Sequence, residues 1–455
     1  MNLSALPRGM RVFGVVWFGQ LVSTVGSGLT WFALGVWIYE QTGSTTLFAL
    51  SMLAATVPNL LVSPLAGALV DRWDRRWVMV FSDAGAGLST LTIALLLLAG
   101  RLEVWHIYLA IAAAQAFSAF QWPAYSAATT LLVPKEHLGR AGGLVQVGEA
   151  VSSLLSPALA GLLYVTLGLQ GVIAIDALTF LFAVFTLLVV RIPRPPVTVE
   201  GAASRGSLLS EAAFGWKYIL ARSGLLGVLL VFAATNFLAS FWNPVLLPMI
   251  LEMTTPQHAG VMASIAGTGM ILGTLVMSAW GGPKRKVFGV LGFICMQGIC
   301  TALAGLRPSL VLITAAAFGL VFALPISNGS SQALWQAKVA PDLQGRVFAV
   351  RRMIAWSTMP LAYLLAGPLA DGVFRPLLVE NGPLAGSLGW LFGFGPSRGA
   401  GLLLVLSGLL ISLVTAAGFL HPRIRRVDLE LPDAVSPADN SPEGEAPAVP
   451  ALTGD

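Results

Sequence analysis

Long apolar runs, each broken by a short polar turn, follow one another from residue 13 to residue 420. A helix needs about 20 apolar residues to cross roughly 30 Å of hydrocarbon at 1.5 Å per residue. Read against their polar breaks, the runs predict twelve helices near 13–39, 45–70, 77–99, 105–131, 141–166, 168–190, 223–251, 259–281, 287–306, 308–335, 347–374 and 399–420. Pro58, Pro64, Pro123, Pro157, Pro244 and Pro360 fall inside them. In a membrane bundle neighbouring helices take up the freed backbone groups, so these prolines predict kinks and not ends. The first run reaches Tyr39, longer than the ~7–15 residues of a secretion-signal core, and reads as the first span. The fold class is therefore all-α and integral to a membrane.

Composition agrees: of 455 residues 56% are hydrophobic and 10% charged, against roughly 25% charged in a soluble domain. The placement of charge then orients the chain. Lys and Arg of short loops stay on the cytoplasmic side, and alternate loops hold all of the 26 basic residues except Arg101, Arg307, Arg375 and Arg398. Twelve spans with both termini cytoplasmic follow. The net charge of +5 is a topology signal and calls for no nucleic-acid partner.

The chain also reads as duplicated. Pro134 to Arg140, after the fourth span, has a counterpart in Pro341 to Arg346 after the tenth, each a Pro, a polar turn and then Gly-Arg opening the next helix. The expected units are an N-terminal six-helix bundle (1–191), a cytoplasmic linker (192–222), a C-terminal six-helix bundle (223–420) and a tail (421–455). In the linker Leu208, Ala212, Trp216 and Ile219 fall on one face of a short amphipathic helix. The tail is rich in Pro and acid and is expected to be disordered.

Between spans two and three stands Gly67-Ala-Leu-Val-Asp71-Arg72-Trp-Asp-Arg75-Arg76. With the six-plus-six layout it resembles the cytoplasmic signature of the major facilitator superfamily. The Pro134 turn, Gly345-Arg-Val-Phe348 and Phe394-Gly-Pro-Ser-Arg-Gly399 are similar to the macrolide-efflux and enterobactin-exporter branch. The resemblance implies a cytoplasmic gate formed by Gly67, Asp71, Arg72, Arg75 and Arg76. Asp71 would meet the positive end of the eleventh helix, worth about 0.3–1 kcal/mol exposed and up to ~2 partly buried, and the arginines would grip neighbouring acids or lipid phosphate. The simpler reading is that these arginines only set topology.

Three acids lie about two turns inside predicted spans: Asp83, Glu149 and Asp176. Each carries an insertion penalty of about 2.5–3.5 kcal/mol, and no Lys or Arg falls within a span core to offset it. Such a carboxyl faces a wet passage or carries a proton, which makes these three candidate proton-coupling groups. Glu149 precedes Ser156, Pro157 and Gly161, a partial match to the helix-five motif of superfamily antiporters in which Ser156 and Ala160 replace glycines. For Asp83 an ion pair with the nearby arginine loop is an equal alternative. Polar residues form stripes at helical spacing: Gln20, Ser27 and Trp31 on span one; Gln115 and Gln121 on span four; Asn236, Ser240 and Asn243 on span seven; Asn328, Gln332 and Trp335 on span ten. The resemblance makes these four spans the wall of a substrate cavity, while polar side chains can equally join helices at about 0.6–2 kcal/mol per bond.

An aromatic and amide lining with embedded acids suits a lipophilic, neutral or cationic solute. The leading expectation is export of such a drug-like molecule in exchange for protons, by a monomer in the cell membrane surrounded by lipid and without a cofactor. A siderophore or lipid exporter of the same fold is the alternative. A membrane enzyme or receptor is the remote one, because catalysis needs converging nucleophiles, bases or metal ligands, and His106, His137, His258 and His421 are scattered among helix ends and loops. Cys295 and Cys300 are five residues apart on one helix and read as apolar packing residues. No phosphate-binding Gly-x-x-x-x-Gly-Lys-Ser/Thr loop occurs.

Overall fold

The computed structural model describes residues 8–70, 73–134, 137–190, 216–339, 343–393 and 395–431. Among them every regular element is a helix. The chain runs α1 (Arg8–Thr42), α2 (Thr45–Val70), α3 (Arg75–Leu98), α4 (Val104–Leu132) and α5 (Leu138–Val189), then α6 (Ser223–Ala239), α7 (Trp242–Leu251), α8 (Pro256–Trp280), α9 (Lys286–Leu306) and α10 (Leu310–Lys338). After these come α11 (Gln344–Trp356), α12 (Met359–Pro368), a π-helical turn (Leu369–Phe374), α13 (Ala385–Phe392), α14 (Pro396–Leu420) and the short α15 (Pro422–Arg425) and α16 (Val427–Glu430).

Ten helical stretches among the described residues are long and apolar enough to cross a membrane. One of them, 140–189, has 50 residues; unbroken it would be about 75 Å long. It is instead broken at Gly168, whose φ of 68° lies in the left-handed region that glycine enters without a Cβ penalty. The two limbs run in opposite directions along α1. In the first limb Leu144, Ser152 and Tyr164 meet Trp17, Thr24 and Glu40 in ascending order. In the second, Asp176 meets Thr30 and Thr186 packs at Gly19.

Prolines shape the other breaks as their chemistry requires. The bend between α6 and α7 falls at Ser240 and Phe241, just before Pro244, and that between α11 and α12 at Ser357 and Thr358, with Pro360 in the first turn of α12. A proline is tolerated in a first turn because its missing N–H has no helical partner there. Helix starts are capped where the sequence supplies a short oxygen: Asp74 accepts from Arg76 N, Thr255 from His258 N and Ser309 from Leu312 N.

Helices α1 to α5 pack on one another as one group, and α6 to α14 as a second. The groups meet along two seams, α2 on α12 and the first limb of α5 on α8. Both seams are close backbone contacts. A Cβ at Gly260 would lie 2.1 Å from the Pro157 carbonyl oxygen, and one at Gly367 would lie 2.2 Å from Thr46 Cα. The outer surface is apolar, with Leu88, Leu95, Leu178 and Leu181 exposed, as lipid-facing positions should be and as a soluble surface of this extent should not.

One expectation is modified. Residues 421–431, taken as the start of a disordered tail, are helical and fold back on the second group. Val427 and Ile424 are buried beside Gly224 and Gly227, and the Asp428 carboxylate accepts from Val287 N at the start of α9. The apolar contacts and the free N–H groups of that helix end supply the ordering that composition alone does not register. Of the linker, 216–220 is helical; Leu208 and Ala212 lie outside the described residues, as does the tail past 431.

Candidate functional site

A cavity of about 450 Å³ lies inside the first helix group, between α1, α3, α4 and α5. Five sequence-predicted wall residues line it: Gln20, Ser27, Trp31, Gln115 and Gln121. Asp83 and Asp176, proposed on separate grounds, line the same space. The second limb of α5 brings Asp176 to α1, where it accepts from Thr30 Oγ1 at 2.8 Å. Asp83 accepts from Gln20 Nε2 at 2.9 Å, and Gln121 Nε2 in turn donates to Gln20 Oε1 at 2.7 Å. These amides hold α1, α3 and α4 in register around a carboxyl.

Asp83 and Asp176 are 8% and 4% exposed, and neither has a Lys or Arg partner among the described residues. Of the arginine loop, neither Arg75 nor Arg76 pairs with Asp83, and Arg72 lies outside the described residues. Arg76 points elsewhere: its guanidinium donates to the carbonyls of Leu187 and Leu188, tying α3 to the C-terminal end of α5. That is a favourable place for a cation because the last carbonyls of a helix lack partners. Arg75 Nε is buried without an acceptor. Gly67 lies in α2, and Asp71 and Arg72 lie outside the described residues.

Glu149 is not in this cavity. It is exposed on the first limb of α5, one turn before Ser153, whose backbone packs at Gly267 of α8. Positions four apart share a helix face, so Glu149 continues the face that meets the second group. The helix-five motif spans both neighbours. Ser156 Oγ donates to the Val25 carbonyl of α1 at 3.1 Å, while Pro157 and Gly161 press on Gly260 and Pro256 of α8.

In the second group the predicted wall residues have mixed roles. Asn236 Nδ2 donates to the Ala355 carbonyl at 3.2 Å, Ser240 Oγ bonds back to the Asn236 carbonyl of its own helix, and Asn243 is exposed on α7. Trp335 is 1% exposed and belongs to the core. Asn328 and Gln332 are exposed on one face of α10.

Sequence reasoning missed the polar cluster that joins the groups at the end remote from Arg8. The Asp371 carboxylate accepts from Ser44 Oγ at 3.0 Å, Thr45 N at 3.3 Å, Thr46 N at 2.8 Å and Thr46 Oγ1 at 2.8 Å. It thus caps the N-terminus of α2 from the opposite group. Beside it Tyr39 donates to Glu252 Oε1 at 2.5 Å, and Arg375 approaches Glu252 at 3.9 Å and donates to the Gly43 carbonyl at 3.3 Å. Between described residues, every hydrogen bond joining the groups lies here or along the α5–α8 seam. The available signal was an acid in the polar break Asp371-Gly-Val-Phe-Arg375, facing the hydroxyl run Ser44-Thr45-Thr46.

Two packed helix groups in a lipid-facing shell, with a polar cavity holding carboxyls, have the architecture of a membrane transporter. The Major Facilitator Superfamily profile matches residues 16–363, and the chain belongs to that superfamily, as its motifs imply. It is 31% identical over 370 residues to Macrolide efflux protein A of Streptococcus pyogenes, covering 79% of this chain and 90% of that protein. It is 28% identical over 377 residues to Multidrug efflux pump Tap of Mycolicibacterium fortuitum, covering 78% of this chain and 88% of that one. Among solved structures it is similar to a bacterial homologue of the human lysosomal transporter Spinster, inward-facing and unoccupied, with TM-score 0.66 and 14% identity over 90% of this chain and 98% of that one. A bacterial homologue of the iron transporter ferroportin, in an inward-facing state, gives TM-score 0.64 and 14% identity over 90% and 98%. The protein is an integral protein of the cell membrane.

Proposed function

We propose that this protein is a secondary active exporter that moves a lipophilic, neutral or cationic small molecule of the macrolide or multidrug kind out of the cytoplasm, by alternating access and in exchange for protons. In this reading the chain crosses the membrane twelve times with both termini cytoplasmic. The two limbs of α5 count separately, α6 with α7 forms the seventh crossing, and α11 with α12 and the π turn forms the eleventh. Residues 1–191 and 223–420 are then the two moving bundles, and the protein acts as a monomer. The end remote from Arg8 becomes the outer face, and the Asp371 cluster an outer latch that closes the path to the exterior. The arginine loop becomes the inner gate.

The observation that carries the reading is the pair of buried carboxyls, Asp83 and Asp176, lining one cavity without a cationic partner among the described residues. A carboxylate sealed in apolar packing would be far less favourable than one that takes up a proton or meets a cation in a wet cavity. Glu149 adds a third acid on the face between the bundles. The relatives' printed activities, macrolide and multidrug efflux, supply the cargo class.

Expression in a pump-deficient bacterial host tests the reading. Accumulation of a radiolabelled macrolide should fall severalfold against an empty vector, and the difference should vanish when a protonophore collapses the gradient. Equal accumulation with and without the protein would remove macrolide export.

A further inference from the structure

One cation of the second group stands without a counter-ion among the described residues. Arg351, two turns into α11, is half-buried. Its guanidinium donates to Gln332 Oε1 at 3.0 Å and Ser331 Oγ at 2.9 Å and stacks near Trp335 at 5.3 Å and Phe348 at 5.8 Å. No described carboxylate reaches it: its partners are neutral amide, hydroxyl and ring. A guanidinium has five N–H donors, and two of them serve Gln332 and Ser331, which leaves three for an acceptor from outside.

The neighbourhood does not resemble a lipid-facing one. Gln332 is exposed, and Asn328, one turn earlier on the same face of α10, is exposed as well. Two exposed amides on one face of a membrane-spanning helix, with a guanidinium at the end of the next, are costly against hydrocarbon and tolerable along a watered path. Buried Trp335 fixes the base of the site, because a side chain 1% exposed in close packing has no room to swing. The guanidinium is therefore held by two neutral hydrogen bonds and an aromatic floor, and is not neutralised.

We infer that Arg351, with Gln332 and the Trp335 ring, forms a recognition site for the anionic group of a lipophilic molecule, a carboxylate, sulfonate or phosphate carried on an apolar or aromatic body. Planar oxyanions accept two parallel N–H bonds from guanidinium, a match that a lysine cannot reproduce. The exporter then carries opposite chemical preferences in its two halves: carboxyls in the cavity of the first group and a guanidinium on the wall of the second. The accepted cargo extends beyond neutral and cationic molecules to those with an acidic group. This extension rests on reading the exposed Asn328–Gln332 face of α10 as part of the transport path.

The test uses the full chain in a non-ionic detergent and two probes with one fluorescent body, dansylglycine and its neutral analogue dansylglycinamide. Wild type should bind the carboxylate about tenfold or more tighter than the amide, as hydrogen bonds to a charged partner require. Arg351→Gln should erase that preference, while Arg351→Lys should keep part of it. Equal binding of both probes by wild type, or an undiminished preference in Arg351→Gln, would overturn the site. If Arg351→Gln does not fold, as its thermal melt will show, the wild-type comparison and the Lys variant still decide. Competition by dihexanoyl phosphatidic acid but not by benzoate would make the occupant a lipid phosphate; the reverse would make it a cargo carboxylate. A clear carboxylate preference beside absent macrolide export would remove macrolide as cargo and spare the site.

Discussion

Replacement of Asp371 by alanine probes the proposed outer latch most sharply. Four contacts of 3.3 Å or less are lost at once, two of them from backbone N–H groups in the first turn of α2. Removing an N-cap oxygen costs about 0.5–2 kcal/mol, and removing the negative charge from a helix N-terminus adds about 0.3–2 kcal/mol. The Arg375–Glu252 pair is 3.9 Å apart with one partner 37% exposed, a class of ion pair worth about 0–1 kcal/mol. The cap therefore outweighs the salt bridge. All of the cap's stabilisation is lost when the bundles part at this end, so Asp371→Ala should favour the outward-open form by about 2 kcal/mol, some thirtyfold. A cysteine at Ser27 on the cavity wall, in a background with Cys295 and Cys300 replaced by serine, reports the shift. Labelling in whole cells by a membrane-impermeant maleimide should accelerate by an order of magnitude in Asp371→Ala and by less in Asp371→Asn, which keeps an acceptor oxygen. An unchanged rate in folded Asp371→Ala would refute the latch.

Other substitutions reach the remaining joints. Gly260→Ala places a methyl 2.1 Å from the Pro157 carbonyl; it should open the α5–α8 seam and raise labelling of the same cysteine, and a normal rate would show that the seam carries no conformational energy. Arg76→Ala removes two charge-assisted hydrogen bonds to the end of α5, each worth about 1.5–3 kcal/mol, so its melting temperature should drop by several degrees; an unaltered melt would contradict the anchoring role. Glu149→Gln should leave the melt unchanged and abolish uptake driven by a pH gradient in inverted vesicles, and undiminished uptake would exclude Glu149 from the mechanism.

The helices were legible because an uninterrupted apolar run of membrane-spanning length has one low-energy solution in lipid, and the superfamily because short loop motifs survive where the apolar spans do not constrain identity. The reversal at Gly168 was visible as a break between two predicted spans, although its neighbours are apolar on both sides. The cavity was half legible. Gln20, Gln115 and Gln121 fell on stripes that line it, whereas the same spacing on α6 and α10 picked out Asn236, which holds a carbonyl, and Trp335, which is buried. Periodicity identifies a face but not what covers it. The Asp371 cap could not be read from spacing at all, because its partners lie in the other half of the chain. Thr30, Ser82 and Ser89, which complete the cavity wall, gave too little signal since isolated hydroxyls commonly bond back to their own helix.

The central claim is that cargo and protons move in exchange through a passage lined by unpaired carboxyls. Proteoliposomes holding a trapped pH dye, with a proton gradient imposed across them, test it directly. Adding a macrolide on the cytoplasmic side should speed dissipation of the gradient with wild-type protein and have no effect with the Asp83→Asn, Asp176→Asn double variant. Labelled macrolide crossing at the wild-type rate while the dye signal stays flat would contradict the account.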